Sequence, residues 1–486
     1  MRGRSGRRLG SGRAGIVCLL AIGSLVIVVP RAVAADSSDG TAERVARSLA
    51  GAIRFETVSH EDPADFEAEP FRGLIAYLRD RYPRTHEALR LETVNDYTLL
   101  YEWPGADAAL DPALFMAHTD VVPVEGAALE QWSVPPFEGM IRDGHVWGRG
   151  AIDVKVGVIF WLEAVETLLA QGFAPQRTIY LSFGHDEEIG GNTGAKVVAA
   201  RLAERGVRLA FLFDEGGFLF DDHPLVSDRV VAQIITAEKA YLTVRLRARG
   251  VSGHSSMPPR STAIGRLARA IQRIESHPMP ARITPPMRQM FEAASPYQSW
   301  SRRFAFRNLW LMGGAVKRRL DQDPLTRAQL RTTFAATLIE GGVKGNVIPE
   351  SAEATVNVRL LPGDSEAEVV AHLRRVIDDE GIEIESDLWG EPAAPASPEG
   401  PAFQLAAEAV RDVLPEAVVL PGLIPGATDS RHFAGISDEI LRFIPARIPI
   451  GLASGAHGRD ERIPVAFLDD SVAIAVGMMR RAATPE

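Results

Sequence analysis

The chain has 486 residues, with 53 Lys and Arg against 63 Asp and Glu, and therefore a net charge of −10. Its 46% hydrophobic and 24% charged residues are typical of a folded globular protein, and its length predicts two or three domains. The acidic balance argues against a nucleic-acid-binding protein, which needs a basic face. Because Cys18 is the only cysteine, an intrachain disulfide and a thiolate metal site are both excluded.

Residues 1–35 have the pattern of an export signal. Five arginines and no acid lie in residues 1–13, an apolar run covers 14–29, and small residues follow at 32–35. The run is shorter than the roughly 20 residues of a membrane-spanning helix. We therefore expect an exported protein, periplasmic or secreted, with an uncleaved N-terminal membrane anchor as the alternative. Cleavage would remove Cys18 and six arginines, leaving a net charge of 47 − 63 = −16.

From residue 41 to 237, short apolar strands alternate with helices. Strand-length apolar runs cover 113–117, 178–183 and 209–213, and helical spacing covers 156–169 and 194–203. The alternation predicts an α/β domain, a mostly parallel sheet with helices on both faces. Each apolar run stops at a group of ionisable residues, and in such sheets the site lies beyond the carboxyl ends of the strands.

Residues 238–394 have a different pattern. Alternating apolar and polar residues predict an antiparallel edge strand at 241–249 and further strands in 347–360, and helices are predicted at 263–274 and 366–379. The order β-α-β-β-α-β predicts an inserted, ferredoxin-like α+β domain. Its middle part, 278–330, is rich in Pro, Met, Arg and aromatic residues and is predicted to be a helical insert.

Residues 395–486 return to the α/β pattern, with a helix at 403–413 and a loop at 422–431. We therefore expect a discontinuous catalytic domain, formed by 41–237 and 395–486, with a lid or dimerisation domain inserted at 238–394.

Acidic residues and histidines cluster at the predicted turns. Carboxylate and imidazole ligands without a thiolate suit zinc, manganese or cobalt in a hydrolytic site. Of two adjacent glutamates, one can bind the metal while the other acts as a base towards water, because their side chains point in different directions. The clusters contain His118, Asp120, Asp153, Glu187, Glu188, Asp214, Glu215 and His457.

These clusters belong to longer motifs. They are MAHTDVVP at 116–123, WGRGAIDVK at 147–155, DEEIGG at 186–191, FDEGG at 213–217, GHSS at 253–256, GNVIP at 345–349, GATDSR at 426–431 and GAHG at 455–458. The motifs resemble those of the di-zinc aminoacylase/carboxypeptidase family and follow the same order along the chain. Because of residues 214–218, 307–311 and 330–333, the chain resembles most the branch of carboxypeptidase S and the N-fatty-acyl-amino acid hydrolases.

The resemblance implies two zinc ions, with cobalt or manganese as substitutes. Asp153 would bridge the two ions. Glu215 is the alternative to Asp214, because relatives differ in which acid of this strand end coordinates. The implied ligand set is His118, Asp153, Glu188, Asp214 and His457.

The resemblance also implies roles in catalysis and substrate binding. Asp120 would orient a histidine ligand. Glu187 would be the general base for a zinc-activated water and then the acid for the leaving amine, and His254 would stabilise the oxyanion, reaching its own site or that of a dimer partner. Arg431, assisted by Asn346, would bind the terminal carboxylate of the substrate.

Three alternatives stay open from the residues alone. His254 could instead satisfy a turn. Arg431 could pair with Asp429 or Asp438. Apolar residues of the insert could line a pocket for an acyl chain or form the core of a helical pair; they are Trp300, Phe304, Leu309 and Trp310.

We therefore expect a metal-dependent hydrolase that cleaves an amide next to a free carboxylate, in a small peptide or an N-acyl amino acid. A dipeptidase or deacylase for polar substrates is one alternative. A non-catalytic binding protein on the same fold is another, although a binder has no need of Glu187 beside its metals. We expect no nucleic-acid partner, and no stable membrane partner if the signal is cleaved. The resemblance also allows a homodimer through the inserted domain.

Overall fold

A computed structural model describes residues 40–124, 126–390, 393–453 and 455–484. The predicted export signal at 1–35 lies outside these residues. From Thr41 onwards the chain forms one compact unit. Within the described part, no helix is long and apolar enough to cross a membrane.

The described chain contains helices and strands in the following order along the sequence. The helices are α1 Thr41–Ile53, α2 Ala68–Arg81, α3 Pro83–Ala88, α4 Gly126–Leu129, α5 Lys155–Ala170, α6 Ala195–Glu204, α7 Ala263–Ser276, α8 Pro285–Ala294, α9 Trp300–Arg307, α10 Leu309–Leu320, α11 Pro324–Leu330, α12 Glu366–Ile377, α13 Pro401–Val413, α14 Ile450–Ala453 and α15 Leu468–Ala483. The strands are β1 Arg90–Val94, β2 Thr98–Trp103, β3 Ala113–His118, β4 Met140–Arg142, β5 His145–Trp147, β6 Ile179–Gly184, β7 Phe211–Asp214, β8 Leu219–Phe220, β9 Val231–Glu238, β10 Ala240–Arg249, β11 Gly253–His254, β12 Thr333–Gly341, β13 Val347–Ile348, β14 Ser351–Leu360, β15 Ile382–Leu388, β16 Val418–Ile424, β17 Ile440–Arg442, β18 Arg447–Ile448 and β19 Arg462–Pro464.

The larger sheet has ten strands in the order β1-β2-β6-β3-β7-β17-β9-β8-β18, with β16 beside β9. Strands β6, β3, β7 and β17 are parallel, whereas β1–β2 and β8–β9 pair antiparallel. All residues of β3 and β6 are buried, as expected for strands with both faces covered. The α/β fold class is confirmed, and the sheet is mixed rather than mostly parallel because antiparallel pairs extend its parallel centre.

The smaller sheet has four antiparallel strands in the order β12-β14-β10-β15. Alternate residues of β10 and β14 are buried and form one hydrophobic cluster with α7 and α12. The prediction of β10 as an edge strand is wrong, because it pairs with β14 on one side and β15 on the other. The division of the chain at 238 and 394 stays a prediction.

Helices α8 to α11 form the insert predicted at 278–330. Met287 and Phe291 of α8 share a buried cluster with Leu330. Lys239, between β9 and β10, ties this region to the larger sheet, because its Nζ donates to the backbone carbonyls of Ala328 (3.0 Å) and Arg331 (2.9 Å). Burial lowers the pKa of Lys239 to about 7.

Candidate metal centre

Three neighbouring strands end at the candidate metal centre. β3 ends at His118, and β7, beside it in the sheet, ends at Asp214 with Glu215 directly after. On the other side of β3, β6 leads into the short 3-10 turn that holds Glu187 and Glu188. Because carboxyl ends of parallel strands meet at one edge of a sheet, residues that are far apart in the sequence converge here.

Asp153 reaches the same place from the turn before α5. Its Oδ1 is 3.1 Å from Nε2 of His118, and its Oδ2 is 3.1 Å from Nε2 of His457. Nε2 of His457 also lies 2.9 Å from Oε2 of Glu188. The two oxygens of one carboxylate thus face two different imidazoles, as a carboxylate shared by two metal ions would.

Of the two acids at the end of β7, Glu215 faces this cluster and Asp214 does not. Oε1 of Glu215 is 3.3 Å from Nε2 of His118. Oδ2 of Asp214 instead accepts the backbone N–H of Ser430 at 2.8 Å, and Arg442 stabilises its charge. Successive side chains of an extended chain point to opposite sides. The structure therefore places the alternative acid, Glu215, in the ligand group and leaves the predicted ligand Asp214 outside it.

Asp120 is fully buried and orients the groups around it. Its backbone carbonyl oxygen is 3.0 Å from Nδ1 of His118, which donates its proton there and leaves the lone pair of Nε2 directed at the cluster. Its carboxylate oxygens accept the backbone N–H groups of Glu187 at 3.2 Å and Glu188 at 3.1 Å. The hydroxyl of Ser59 also donates to this carboxylate, at 2.7 Å.

Glu461 holds the turn that presents Asp153, and sequence reasoning did not predict this role. Its buried carboxylate accepts backbone N–H groups from Gly150 (3.1 Å), Ile152 (2.7 Å) and Asp153 (3.0 Å). Nη1 of Arg149 donates to it at 2.8 Å. Four hydrogen bonds to one carboxylate fix the backbone of this turn and, with it, the position of Asp153.

Replacing Glu461 by Gln is therefore expected to lower kcat about 10- to 100-fold and to weaken metal binding, as loss of a supporting group around a metal site does. The amide places an N–H group where backbone N–H groups now point, so the turn must shift. Bound metal and kcat measured on E461Q check this. E130Q, at an exposed glutamate, is the matched control, and an E461Q variant with normal kcat and metal content contradicts the prediction.

The donor set suits divalent cations. Ligand atoms of His118, Asp153 and Glu188 lie within 4.8 Å of one another, and so do those of His118, Glu187 and Glu215. Burial raises the pKa of Glu215 to about 8, and repulsion by Asp153 adds to the shift. Buried carboxylates this close are unfavourable without positive charge between them. Imidazole and carboxylate ligands match zinc, cobalt and manganese.

A cavity of about 270 Å³ opens beside the cluster. The rings of Tyr241 and Trp389, which line it, stack with centroids 4.1 Å apart, and the Arg359 guanidinium lies 4.3 Å from the Tyr241 ring. Burial lowers the pKa of Arg359, and repulsion by Arg431 contributes. Sequence reasoning predicted none of Tyr241, Trp389 and Arg359.

Arg431 lines the same cavity. Its Nη1 and Nη2 donate to the backbone carbonyls of Thr428 at 2.6 Å and Gly190 at 2.7 Å, while its Nε has no hydrogen-bond partner among the described residues. Nη2 lies 4.0 Å from Oδ1 of Asp429, and Asp438 pairs with a different arginine. Arg431 is thus held in place mainly by the backbone, with part of its guanidinium left for a ligand.

His254 and Asn346 do not line this cavity. Both lie at an exposed two-stranded antiparallel sheet formed by β11 and β13, where the backbone N–H of Ser255 donates to the carbonyl of Asn346 at 3.2 Å. Nδ1 of His254 accepts the backbone N–H of Ser256 at 3.1 Å, as the turn alternative expected. The structure brings these two residues to each other and not to the metal ligands.

The aromatic residues predicted to line a pocket or a helical core do neither. Trp300 and Trp310 are 81% and 82% exposed, and Phe304 is also exposed. Only Leu309 is buried.

A second cavity, of about 620 Å³, adjoins the first and shares Trp389 with it. Phe66, Tyr97 and Ile189 contribute apolar surface, and the ring centroids of Phe66 and Tyr97 are 5.0 Å apart. Two residues that line this cavity, Asp186 and Ile189, flank Glu187 and Glu188 in the sequence. Its polar lining comprises Ser59, His60, Glu61, Asn95, His185, Asp186, Asn192 and Thr193.

Comparison with known proteins identifies the family. A profile described as peptidase family M20/M25/M40 matches residues 114–483. The chain belongs to this family. The predicted resemblance is thereby confirmed.

Curated relatives of this M20-family chain carry names from the predicted branch. The chain is similar to "N-fatty-acyl-amino acid synthase/hydrolase PM20D1" of Mus musculus, with 36% identity over 91% of this chain and 89% of that protein. It is 38% identical to "Probable carboxypeptidase S-like 2" of Dictyostelium discoideum, over 87% and 82% of the two chains. Carboxypeptidase S of Saccharomyces cerevisiae is 32% identical, over 86% and 80%.

The solved structures support the same fold. The M20 family metallo-carboxypeptidase Sso-CP2 of Sulfolobus solfataricus superposes with a TM-score of 0.66 at 19% identity, over 90% of this chain and 99% of that one. Human carnosine dipeptidase 1 gives 0.59 at 17% identity, over 91% and 97%. This M20-family chain is thus a metal-dependent peptidase or amidohydrolase.

Proposed function

We propose that this protein is a di-zinc amidohydrolase that cleaves N-acyl amino acids, with a preference for long acyl chains. One arrangement carries the proposal: the Trp389 ring lines both the small cavity beside the metal ligands and the larger cavity with apolar surface. An N-fatty-acyl amino acid has a charged carboxylate, an amide and an apolar tail. Its carboxylate would meet the arginines of the small cavity, its amide the metal ligands, and its tail the larger cavity. The relatives named PM20D1 and carboxypeptidase S support this substrate class.

Two ions would be held by the residues that the structure brings together. Asp153 would be shared, His118 and Glu215 would complete one site, and Glu188 and His457 the other. Glu215 here takes the place that the sequence assigned to Asp214. Bound zinc supplies Lewis-acid stabilisation of the negative charge that develops on the amide oxygen.

Glu187 would move the proton. Its backbone N–H donates to the Asp120 carboxylate at 3.2 Å, and its own carboxylate lies within 4.8 Å of ligand atoms of His118 and Glu215. Burial raises the pKa of Glu187, which suits a group that takes a proton from the attacking water and then passes it to the leaving amine.

Arg431 and Arg359 would bind the substrate carboxylate. Both guanidinium groups line the small cavity, and among the described residues the one carboxylate paired with either is that of Asp429, whose Oδ1 is 4.0 Å from Nη2 of Arg431. A bound carboxylate would relieve their mutual repulsion. Asn346 does not line the small cavity, so we retain its predicted role only for a dimer.

The first test is hydrolysis of a substrate panel by zinc-loaded protein. The panel pairs N-oleoyl with N-acetyl phenylalanine, and each acid with its amide. We expect turnover of free acids only, loss of turnover with a chelator, and a higher kcat/KM for oleoyl, because each buried methylene contributes about 0.8 kcal/mol. Equal kcat/KM for oleoyl and acetyl, or hydrolysis of the amides, contradicts the proposal.

The same panel tests the larger cavity. His60 lines it and makes no hydrogen bond among the described residues, so H60W fills space without breaking a contact. This variant should lose about tenfold in kcat/KM for the oleoyl substrate while keeping that for the acetyl one. If H60W has the same kcat/KM as the wild type for both substrates, the larger cavity does not bind the acyl chain.

His254 and Asn346 would act on the site of a partner subunit in a homodimer. β12, the strand that precedes Asn346 in the chain, is an edge strand with exposed Leu338 and Ile339, and Val343 after it is also exposed. Co-expressing H254A with E187Q tests this, since a mixed dimer contains one site with both residues intact. We expect activity to return in the mixture, whereas a role of His254 in its own chain's site leaves the mixture inactive.

We also retain export as part of the proposal, since residues 1–35 have the pattern of a cleaved signal. N-terminal sequencing of protein from its host, beginning near residue 35 or at residue 1, distinguishes cleavage from a retained anchor.

A further inference from the structure

Helices α9 and α10 of the insert carry large apolar side chains on the protein surface. Trp300 and Trp310 are 81% and 82% exposed, and Leu311 and Phe304 are 57% and 43% exposed. The Trp300 and Phe304 rings stack with their centroids 6.1 Å apart. Exposed tryptophan is unfavourable in water and is typical of interaction surfaces and of membrane interfaces.

The same two helices are strongly basic in an acidic protein. Residues 300–320 contain six Lys and Arg and no Asp or Glu, whereas the whole chain has a net charge of −10. In the described structure none of the six forms an ion pair with a carboxylate; they are Arg302, Arg303, Arg307, Lys317, Arg318 and Arg319. Arg303, Lys317 and Arg319 donate hydrogen bonds to uncharged oxygens, so the described residues do not neutralise the positive charge of this surface.

A cavity of about 440 Å³ lies on the same part of the insert. Apolar side chains dominate its lining, among them Phe306, Met312 and Val316. The charged residues of the lining are two arginines, Arg302 and Arg319, and one acid, Asp323. An apolar cavity with guanidinium groups in its lining matches an acyl chain attached to an anionic headgroup.

We propose that α9 and α10 form a peripheral binding surface for anionic phospholipid bilayers. Tryptophan and leucine would enter the headgroup region, the arginines and lysine would pair with lipid phosphates, and the cavity would receive an acyl chain. This surface goes beyond the proposed hydrolysis and does not depend on it. It also modifies the expectation of no stable membrane partner. Binding at the membrane surface is reversible and needs no spanning helix, so it can occur even if the signal is cleaved.

Two other occupants fit the surface less well. A second copy of the chain would bring two clusters of six positive charges together, which is unfavourable. Nucleic acid would match the charge and the aromatic rings, but it has no group that would fill an apolar cavity. Charge and cavity together favour lipid.

The test is binding of the full chain to vesicles of phosphatidylglycerol and phosphatidylcholine, in a ratio of about one to two, against phosphatidylcholine alone. Tryptophan quenching by lipids brominated in their acyl chains reports insertion, and residues 1–35 contain no tryptophan, so a retained leader does not contribute. We expect quenching with anionic vesicles only, weakened by salt. W300Q/W310Q should lose it while keeping turnover of a soluble N-acetyl substrate.

The charge is tested separately. R302Q/R307Q/R318Q should bind anionic vesicles at least about tenfold more weakly than the wild type. R79Q/R142Q/R411Q, which removes three exposed arginines elsewhere, is the matched control and should bind normally. Equal quenching by neutral and anionic vesicles, or unchanged quenching in W300Q/W310Q, overturns the proposal. If the variants alter only the mass of the protein in solution, the surface binds a second copy and the proposal is wrong.

Discussion

Replacing Glu187 by Gln is expected to lower turnover by about 10²- to 10⁴-fold, the contribution of a positioned general acid–base. Gln has nearly the same shape, so the 3.2 Å hydrogen bond from the backbone N–H of residue 187 to the Asp120 carboxylate should persist. It cannot take a proton from water, however. We expect the loss in kcat, with zinc content and substrate affinity retained, and the two are measured by kinetics and by metal analysis of the same preparation.

The control is E204Q, at an exposed glutamate of α6. It makes the same chemical change far from any predicted ligand and should behave as the wild type. Near-normal hydrolysis by E187Q would show that another group moves the proton. Loss of zinc together with activity would show that Glu187 is a metal ligand. This is the main alternative role, because Glu187 lies beside His118 and Glu215.

Much of the site followed from the sequence because its residues sit at the ends of apolar strands. β3, β6 and β7 were recognisable from their apolar runs, and parallel strands in one sheet must bring their carboxyl ends together. His118 and Glu188 therefore converge whatever the details of the connecting helices. The same logic does not reach a residue such as Glu461, whose four hydrogen bonds all go to a turn about 300 positions earlier.

The cavity walls were beyond sequence reasoning for a similar reason. Arg359 and Tyr241 belong to strands with alternating apolar and polar residues. This pattern predicts which residues share one face of the sheet, but not which part of the protein packs against that face. Here it meets the metal centre, because the smaller sheet packs so that these residues line the cavity. Strand position is equally non-local: the pattern of β10 fits an edge or an interior strand, and only its partners β14 and β15 decide.

For the insert, the sequence predicted the helices correctly but not the exposure of their side chains. Its helices were predicted from composition, yet their aromatic residues were expected to be buried in a pocket or a core. Hydrophobicity alone favours burial. The absence of acids around Trp300 and Trp310 was a second signal in the same segment, and it points to an external anionic surface rather than to a core.

Replacing Glu215 by Gln is expected to remove most of one metal equivalent and to lower turnover about 100-fold or more, since a metal ion contributes several kcal/mol of charge stabilisation. Oε1 of Glu215 lies 3.3 Å from Nε2 of His118, and the neutral amide is a far weaker ligand for zinc than a carboxylate. Metal content per chain and kcat, measured on E215Q as isolated and after zinc addition, check the prediction. Partial recovery at high zinc would identify the loss as one of affinity.

The matched control is D214N, at the last residue of β7 and directly before Glu215. The amide oxygen of D214N can still accept the N–H of Ser430, so the 2.8 Å bond survives the change. The cost is the lost attraction to Arg442, which acts on stability, and metal content should stay near that of the wild type. The opposite pattern, with metal lost in D214N and kept in E215Q, would restore the assignment that the sequence alone suggested. The strand-end pattern in the sequence thus predicts that an acid lies at this edge of the sheet. Which of the two adjacent acids faces the metals is decided by the conformation of the turn after β7.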